Sequence, residues 1–249
     1  MSPDNRKAGG LAGLFPDDQS RLPGNDGGVK TLIALRDLRF AYPDGPPVLD
    51  GFNLELKSGD RLGLVGSNGC GKTTLLFLMM GLIKAQRGEI EIFGRVRREE
   101  KDFQEARPRI GFVFQDANDQ LFCPTVADDL AFGPLNLGQS REEAHRIVHE
   151  VLETLGLDGF ENRVTYDLSG GEKKLVSIGT ALALKPRLLI LDEPTTGLDV
   201  ETVDRLADFL NNCGLPYLVV SHDHGFLSRV TDRRLHMSGG RLLAGADSC

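Results

Sequence analysis

Three short segments carry residue types and spacings that could act on a phosphate ester. Gly66-Ser67-Asn68-Gly69-Cys70-Gly71-Lys72-Thr73 reads G-x-x-x-x-G-K-T directly after the apolar run Leu62-Gly63-Leu64-Val65. Glycines at these places let the backbone fold so tightly that successive N–H groups converge on one concavity. Lys72 can then reach the β- and γ-phosphates of a nucleotide, and Thr73 can offer its hydroxyl to Mg2+. The run that follows, Thr74-Leu75-Leu76-Phe77-Leu78-Met79-Met80, reads as a helix whose partially positive N-terminus faces the same phosphates. The second segment, Leu188-Leu189-Ile190-Leu191-Asp192-Glu193, is an apolar strand ending in two adjacent carboxylates. Neighbours on a strand point to opposite sides, so one carboxylate can stand behind Mg2+ while the other polarises an attacking water. The third, Leu168-Ser169-Gly170-Gly171-Glu172, opens a helical run and builds another helix N-terminus suited to a phosphate, with the Ser169 hydroxyl as an added donor.

The surrounding pattern supplies elements to hold these segments. Residues 31–35 and 38–42 read as two strands, Pro43-Asp44-Gly45-Pro46-Pro47 as a turn, and Leu54-Glu55-Leu56 alternates again, so antiparallel β structure precedes the cradle. Beyond it, the short apolar runs 110–114, 188–191 and 217–220 alternate with helical stretches, which predicts a buried, mostly parallel sheet. From Arg141 to Leu155, the residues Ala144, Ile147, Val148, Val151, Leu152 and Leu155 form one apolar helical stripe, with Gly156 as the stop. His145 and His149 are four apart in that helix, but no third ligand accompanies them, so both are read as solvated helix residues.

The chain has 249 residues, 40% of them hydrophobic, and a net charge of −7. That argues against a nucleic-acid-binding surface spread over the whole protein. Its longest apolar runs fall well short of the roughly 20 residues that cross a bilayer, so a membrane role would be peripheral. Cys70, Cys123, Cys213 and Cys249 lack metal-ligand spacing and fit a reduced, cytosolic setting. Residues 1–28 are rich in Gly, Pro, Asp, Asn and Ser, start without an apolar leader, and are expected to be a disordered tail before a folded unit spanning 29–249.

With these segments in place, residues 31–241 resemble the nucleotide-binding subunit of an ATP-binding cassette (ABC) transporter. Residues 66–73 match the Walker A motif, 188–192 Walker B, and 168–172 the family signature. The resemblance implies an α/β P-loop NTPase with an antiparallel β subdomain, a mostly parallel core sheet and a helical signature subdomain at about 107–181. It also implies roles for single residues. Tyr42 would stack on adenine, and residues Gly66, Ser67, Asn68, Gly69, Cys70, Gly71, Lys72, Thr73 and Thr74 would hold ATP. Ser169, Gly170, Gly171 and Asp199, the last in the D-loop Gly197-Leu198-Asp199, would bind nucleotide across a dimer. Thr73, Gln115 and Asp192 would hold Mg2+, while Glu193, the switch histidine His222, Gln115 and Lys72 would serve catalysis. The implied partners are a second copy or a homologous ATPase subunit, arranged head to tail, and an integral membrane transporter subunit. No nucleic-acid partner is implied, and the implied location is peripheral, on the cytoplasmic face of the cell membrane.

Asp116-Ala117-Asn118-Asp119-Gln120-Leu121-Phe122-Cys123-Pro124-Thr125-Val126, continuing into residues 129–134, resembles the energy-coupling-factor branch of importers for cobalt, nickel and vitamins. Glu172-Lys173-Lys174 points the same way. In that branch this segment grips the membrane protein, so Leu121 and Phe122 are expected to be apolar anchors. Two departures are Leu175, where these relatives often carry arginine, and a short stretch after Arg241 where many carry an extension. The alternatives are the ATPase of another ABC transporter class, a soluble cassette ATPase acting on nucleic acid or ribosomes, and a binding module with a dead site. The intact Lys72, Glu193 and His222 disfavour the last.

Overall fold

The structure, a computed structural model, describes residues 29–243; the expected N-terminal tail, residues 1–28, lies outside the described residues. An antiparallel sheet comes first, in the order β2-β1-β4-β5, from β1 (Thr31–Ala41), β2 (Pro47–Lys57), β4 (Arg87–Ile92) and β5 (Arg95–Arg97). The sequence suggested two strands between residues 31 and 42, whereas the chain runs through as one. Its pairing with β2 shifts between Leu35 and Leu38, where Asp37 takes φ 47° and its N–H is held by Asn53 Oδ1 at 3.0 Å. A bulge of this kind absorbs a polar interruption without ending the strand.

The second sheet has the order β10-β9-β3-β8-β7-β6, built from β3 (Arg61–Val65), β6 (Ile110–Val113), β7 (Leu188–Asp192), β8 (Tyr217–Val220), β9 (Arg233–Ser238) and β10 (Arg241–Leu242). All its pairings are parallel except that of β10 with β9. Every residue of β6, β7 and β8 is buried, as expected for strands covered on both faces. Alternation along β7 sends Leu188 and Ile190 into one apolar core, with α1 (Lys72–Met79) and the antiparallel sheet. Leu189 and Leu191 enter the other, with the helices that follow β6.

Those helices are α3 (Val126–Asn136), α4 (Arg141–Leu155) and α5 (Gly170–Ala183), preceded by the short α2 (Glu100–Ala106) and followed by α6 (Val200–Asn212) and α7 (His224–Val230). Helix α4 has the expected bounds: Ser140 caps it, all six stripe residues are buried, and Gly156 closes it at φ 63°. His145 and His149 are exposed on it, and among the described residues no three His, Cys, Asp or Glu side chains gather to hold a metal. Within the interval 107–181, β6 belongs to the core sheet, and α3 is the first full helix. No helix among the described residues is long and apolar enough to cross a membrane.

Sheet order decides where the chemistry sits. β3 and β7 both pair with β8, in registers that set Leu64 and Asp192 on either side of Val220. The loops leaving β3, β7 and β8 therefore emerge side by side at the carboxyl ends of the strands, where open α/β sheets bind ligands.

Candidate nucleotide and Mg2+ site

The loop between β3 and α1 is built to exclude side chains from its own backbone. A Cβ on Gly66 would lie 2.6 Å from the Met237 carbonyl oxygen, and Gly71 sits at φ 105°, a conformation open to glycine. Helix α1 starts at that glycine with no side-chain cap and no acidic residue in its first turn. Its first N–H groups are thus not capped by any side chain, which is the arrangement that receives an anion. Ser67, Asn68 and Gly69 are exposed, Cys70 is half-buried, and Lys72 is buried beneath them. The Lys72 ammonium donates to the Gly66 and Ser67 carbonyls at 2.8 and 3.2 Å, so it already lies inside the cradle. Tyr42, just past the end of β1, is half-exposed. Its hydroxyl lies 3.2 Å from Thr74 Oγ1, and its ring meets Phe40 edge-on, which sets it beside the helix start.

The paired carboxylates divide as strand alternation requires, and the structure decides which goes where. Thr73 Oγ1 donates to Asp192 Oδ2 at 3.0 Å, across a sequence separation of 119. Burial pushes the Asp192 carboxyl above its ordinary range; the Thr73 bond opposes the shift and the neighbouring Glu193 adds to it. Glu193 turns away at φ 43°, held by its N–H to the Val220 carbonyl at 2.8 Å. Its Oε2 lies 2.9 Å from Nδ1 of His222, which follows β8. A left-handed backbone is strained for a glutamate and persists where the surroundings over-determine it.

Thr73, Asp192 and Gln115 open on one cavity of about 460 Å³, which also reaches Phe77, Thr196 and Gly170. Hydroxyl, carboxylate and amide oxygens are hard donors of the type Mg2+ takes. One carboxylate with a hydroxyl fits a metal that is completed by phosphate and water rather than by a full protein cage. The residues present therefore fit Mg2+.

Ser169 and Asp199 sit at other helix starts. Ser169 caps α5 in a reciprocal box: its Oγ accepts the Glu172 N–H at 3.3 Å, and its own N–H donates to Glu172 Oε2 at 2.7 Å. Arg163 holds the other Glu172 oxygen at 2.6 Å. Ser169 and Gly170 remain exposed, and Gly171 lies beside Asp199, which caps α6 through the Thr202 N–H at 2.8 Å.

Three residues that the sequence marked only as parts of the branch-like segments hold this region through contacts it did not foretell. Gln120 bonds the Phe114 N–H, the Ser177 carbonyl and the Thr180 hydroxyl, and so ties the segment after β6 to α5. Lys174, fully surrounded on α5, donates to the Phe114 and Gln115 carbonyls. Asp129, buried in α3, accepts the Phe122 and Cys123 N–H groups at 3.1 and 3.0 Å and the Thr165 hydroxyl at 3.1 Å. Burial, then the Asp129 charge, raises the Cys123 thiol to about 11. Lys174 stood out in the sequence only within Glu172-Lys173-Lys174, a charged run that carries no sign of burial. Of the two expected anchors, Leu121 packs partly buried against the helical core, while Phe122 is 66% exposed and meets Phe132 edge-on at 4.8 Å. Leu121 thus packs in part against that core, while Phe122 stays at the surface.

A tight phosphate-type loop, a hydroxyl–carboxylate pair and a carboxylate–imidazole pair at the ends of parallel strands define a P-loop ATPase. A family model described as ABC transporter matches residues 49–196. The chain belongs to the ABC transporter family and is an ATPase subunit of such a transporter. Its sequence is 44% identical over 217 residues to the energy-coupling factor transporter ATP-binding protein EcfA of Methanothermobacter thermautotrophicus, covering 86% of this chain and 70% of that protein. The solved structure of cbiO1 from Clostridium perfringens, part of the ABC transporter complex cbiONQ, superposes with a TM-score of 0.79 at 31% identity, covering 88% and 89% of the two chains. The ATP-binding cassette MJ0796, dimeric and bound to ADP and Pi in a post-hydrolysis state, gives 0.78 at 27% identity, covering 85% and 96%.

Proposed function

We propose that this chain is the ATP-hydrolysing subunit of an energy-coupling-factor type importer for cobalt or nickel ions or a vitamin. It works as a head-to-tail dimer on the cytoplasmic face of the cell membrane, bound to an integral membrane subunit, with no nucleic-acid partner. The observation that carries the ATPase part is the pairing of Thr73 with Asp192 and of Glu193 with His222 at adjoining strand ends. Likeness to EcfA and cbiO1, with the exposed Phe122–Phe132 pair on the branch-like segment, supports the importer part.

In this reading Tyr42 stacks on adenine, while the 66–74 loop and Lys72 hold the phosphates of ATP. Bound Mg2+, held by Thr73, Asp192 and Gln115, supplies charge neutralisation on those phosphates. Glu193 aligns a water for in-line attack and takes its proton, with His222 fixing the carboxylate. The exposed Ser169 and Gly170 and the half-buried Gly171, with Asp199 beside it, face the nucleotide of the partner subunit, so each site needs both chains.

The test is ATP-dependent uptake of cobalt, nickel and biotin in cells carrying the intact chain or its Glu193→Gln variant. Uptake of one of these that requires the intact chain supports the reading. Normal uptake of all three by cells lacking the chain, with hydrolysis intact in the purified protein, would remove the importer assignment and leave the ATPase.

A further inference from the structure

Lys174 is only 3% exposed, one helical turn after the signature serine. Its ammonium donates to the carbonyls of Phe114 at 3.0 Å and Gln115 at 2.6 Å. Both are neutral main-chain partners, a costly setting for a buried cation unless its geometry matters. Burial lowers its pKa, while the carboxylates of Asp192, Asp116 and Glu193 pull it back up. Two of these carboxylates, Asp192 and Asp116, also line the cavity.

The segment it holds is the one that matters most there. Gln115 leaves the end of β6 and shares the cavity wall with Thr73 and Asp192. Its side chain is exposed, so where it points depends on how its main chain is held. Gln120 anchors the neighbouring Phe114 N–H to α5, but the bond to Gln115 itself comes from Lys174.

We propose that Lys174 is a positioning residue for hydrolysis, fixing the Gln115 main chain so that its side chain reaches the Mg2+ and water side of the cavity. It also joins that point to the second turn of α5, just past the signature turn, so the two move as one body. This rests on the reading of Gln115 given under Proposed function.

A double-mutant cycle on the purified full chain tests it, with steady-state Mg-ATP hydrolysis and thermal melting for Gln115→Ala, Lys174→Met, their combination, and Lys174→Arg. Gln115→Ala and Lys174→Met should each lower kcat about tenfold, with KM for ATP within about twofold. The combination should be no slower than Gln115→Ala alone, and Lys174→Arg should recover most of the rate. Independent action would instead multiply the two losses to about a hundredfold, and that result overturns the assignment while leaving Gln115 in place. A Gln115→Ala variant with a normal rate would overturn the reading of Gln115 and the route through it together. If Lys174→Met does not fold, Lys174→Gln carries the same cycle, and a fall in melting temperature without a fall in kcat overturns the proposal.

Discussion

Glu193 Oε2 takes two hydrogen bonds from one residue, the main-chain N–H of His222 at 3.3 Å and its Nδ1 at 2.9 Å. When Nδ1 donates in this pairing, a neutral ring leaves the outer nitrogen an acceptor, and that nitrogen becomes a donor toward phosphate only when it is protonated as well. The strained φ of Glu193 thus aims its carboxylate at the end of β8 and away from Asp192.

Glu193→Gln removes the carboxylate proposed to activate water and leaves the phosphate loop intact. Turnover should fall by about two to three orders of magnitude while ATP binding persists. The variant should elute as an ATP-bound dimer in size-exclusion chromatography with Mg-ATP. A rate near that of the unaltered chain would remove Glu193 from catalysis.

Ser169→Arg should abolish hydrolysis with little change in ATP affinity of the monomer, because in the proposed dimer the exposed signature turn serves the partner's site. Lys72→Ala should lose both, since its ammonium lies inside the loop of its own chain. Nucleotide titration of the two variants separates these outcomes. Equal loss of binding in both would contradict a site shared between chains.

Asp192 links pH to metal demand. Its native pKa lies above the unfolded value, so its ionisation opposes folding at neutral pH, and the penalty fades as pH falls through the raised native value. In the proposed Mg2+ site the metal needs this carboxylate ionised, so protons would compete with Mg2+. The half-saturating Mg2+ concentration for hydrolysis should rise as the solution is acidified from neutrality toward the carboxylate range, and a chelator should stop turnover. An Mg2+ requirement flat with pH would exclude Asp192 as a ligand.

Asp129→Ala strands the Phe122 and Cys123 N–H groups and the Thr165 hydroxyl in the interior. Chemical denaturation should show a loss of roughly 2 kcal/mol. Asp129→Asn should cost less, because its amide oxygen can still accept the two N–H groups.

Charged replacement of Phe122 and Phe132 should leave hydrolysis by the isolated chain within a few-fold, since both rings lie outside the ATP cavity. Co-purification with the membrane subunit should be lost. Retained co-purification would move the docking surface elsewhere.

The chemistry legible in the amino-acid order was local. Residues 66–73 state their loop through contiguous glycines and Lys72, the stripe from Ala144 to Leu155 states its helix through spacing, and Ser169 with Glu172 states a cap. Each depends on neighbours within one or two turns, and periodicity records such neighbours directly. Strand alternation left open which of Asp192 and Glu193 meets Thr73, and the family resemblance assigned Asp192; the register of β7 and β3 on β8 is what brings Asp192 to Thr73 across 119 residues. Tertiary structure also packed Leu121 in part against the helical core, merged two expected strands into β1, and buried Lys174 against the carbonyls at the end of β6. Those outcomes rest on sheet order and packing between distant segments, and local pattern carries no record of which distant segment a side chain will meet.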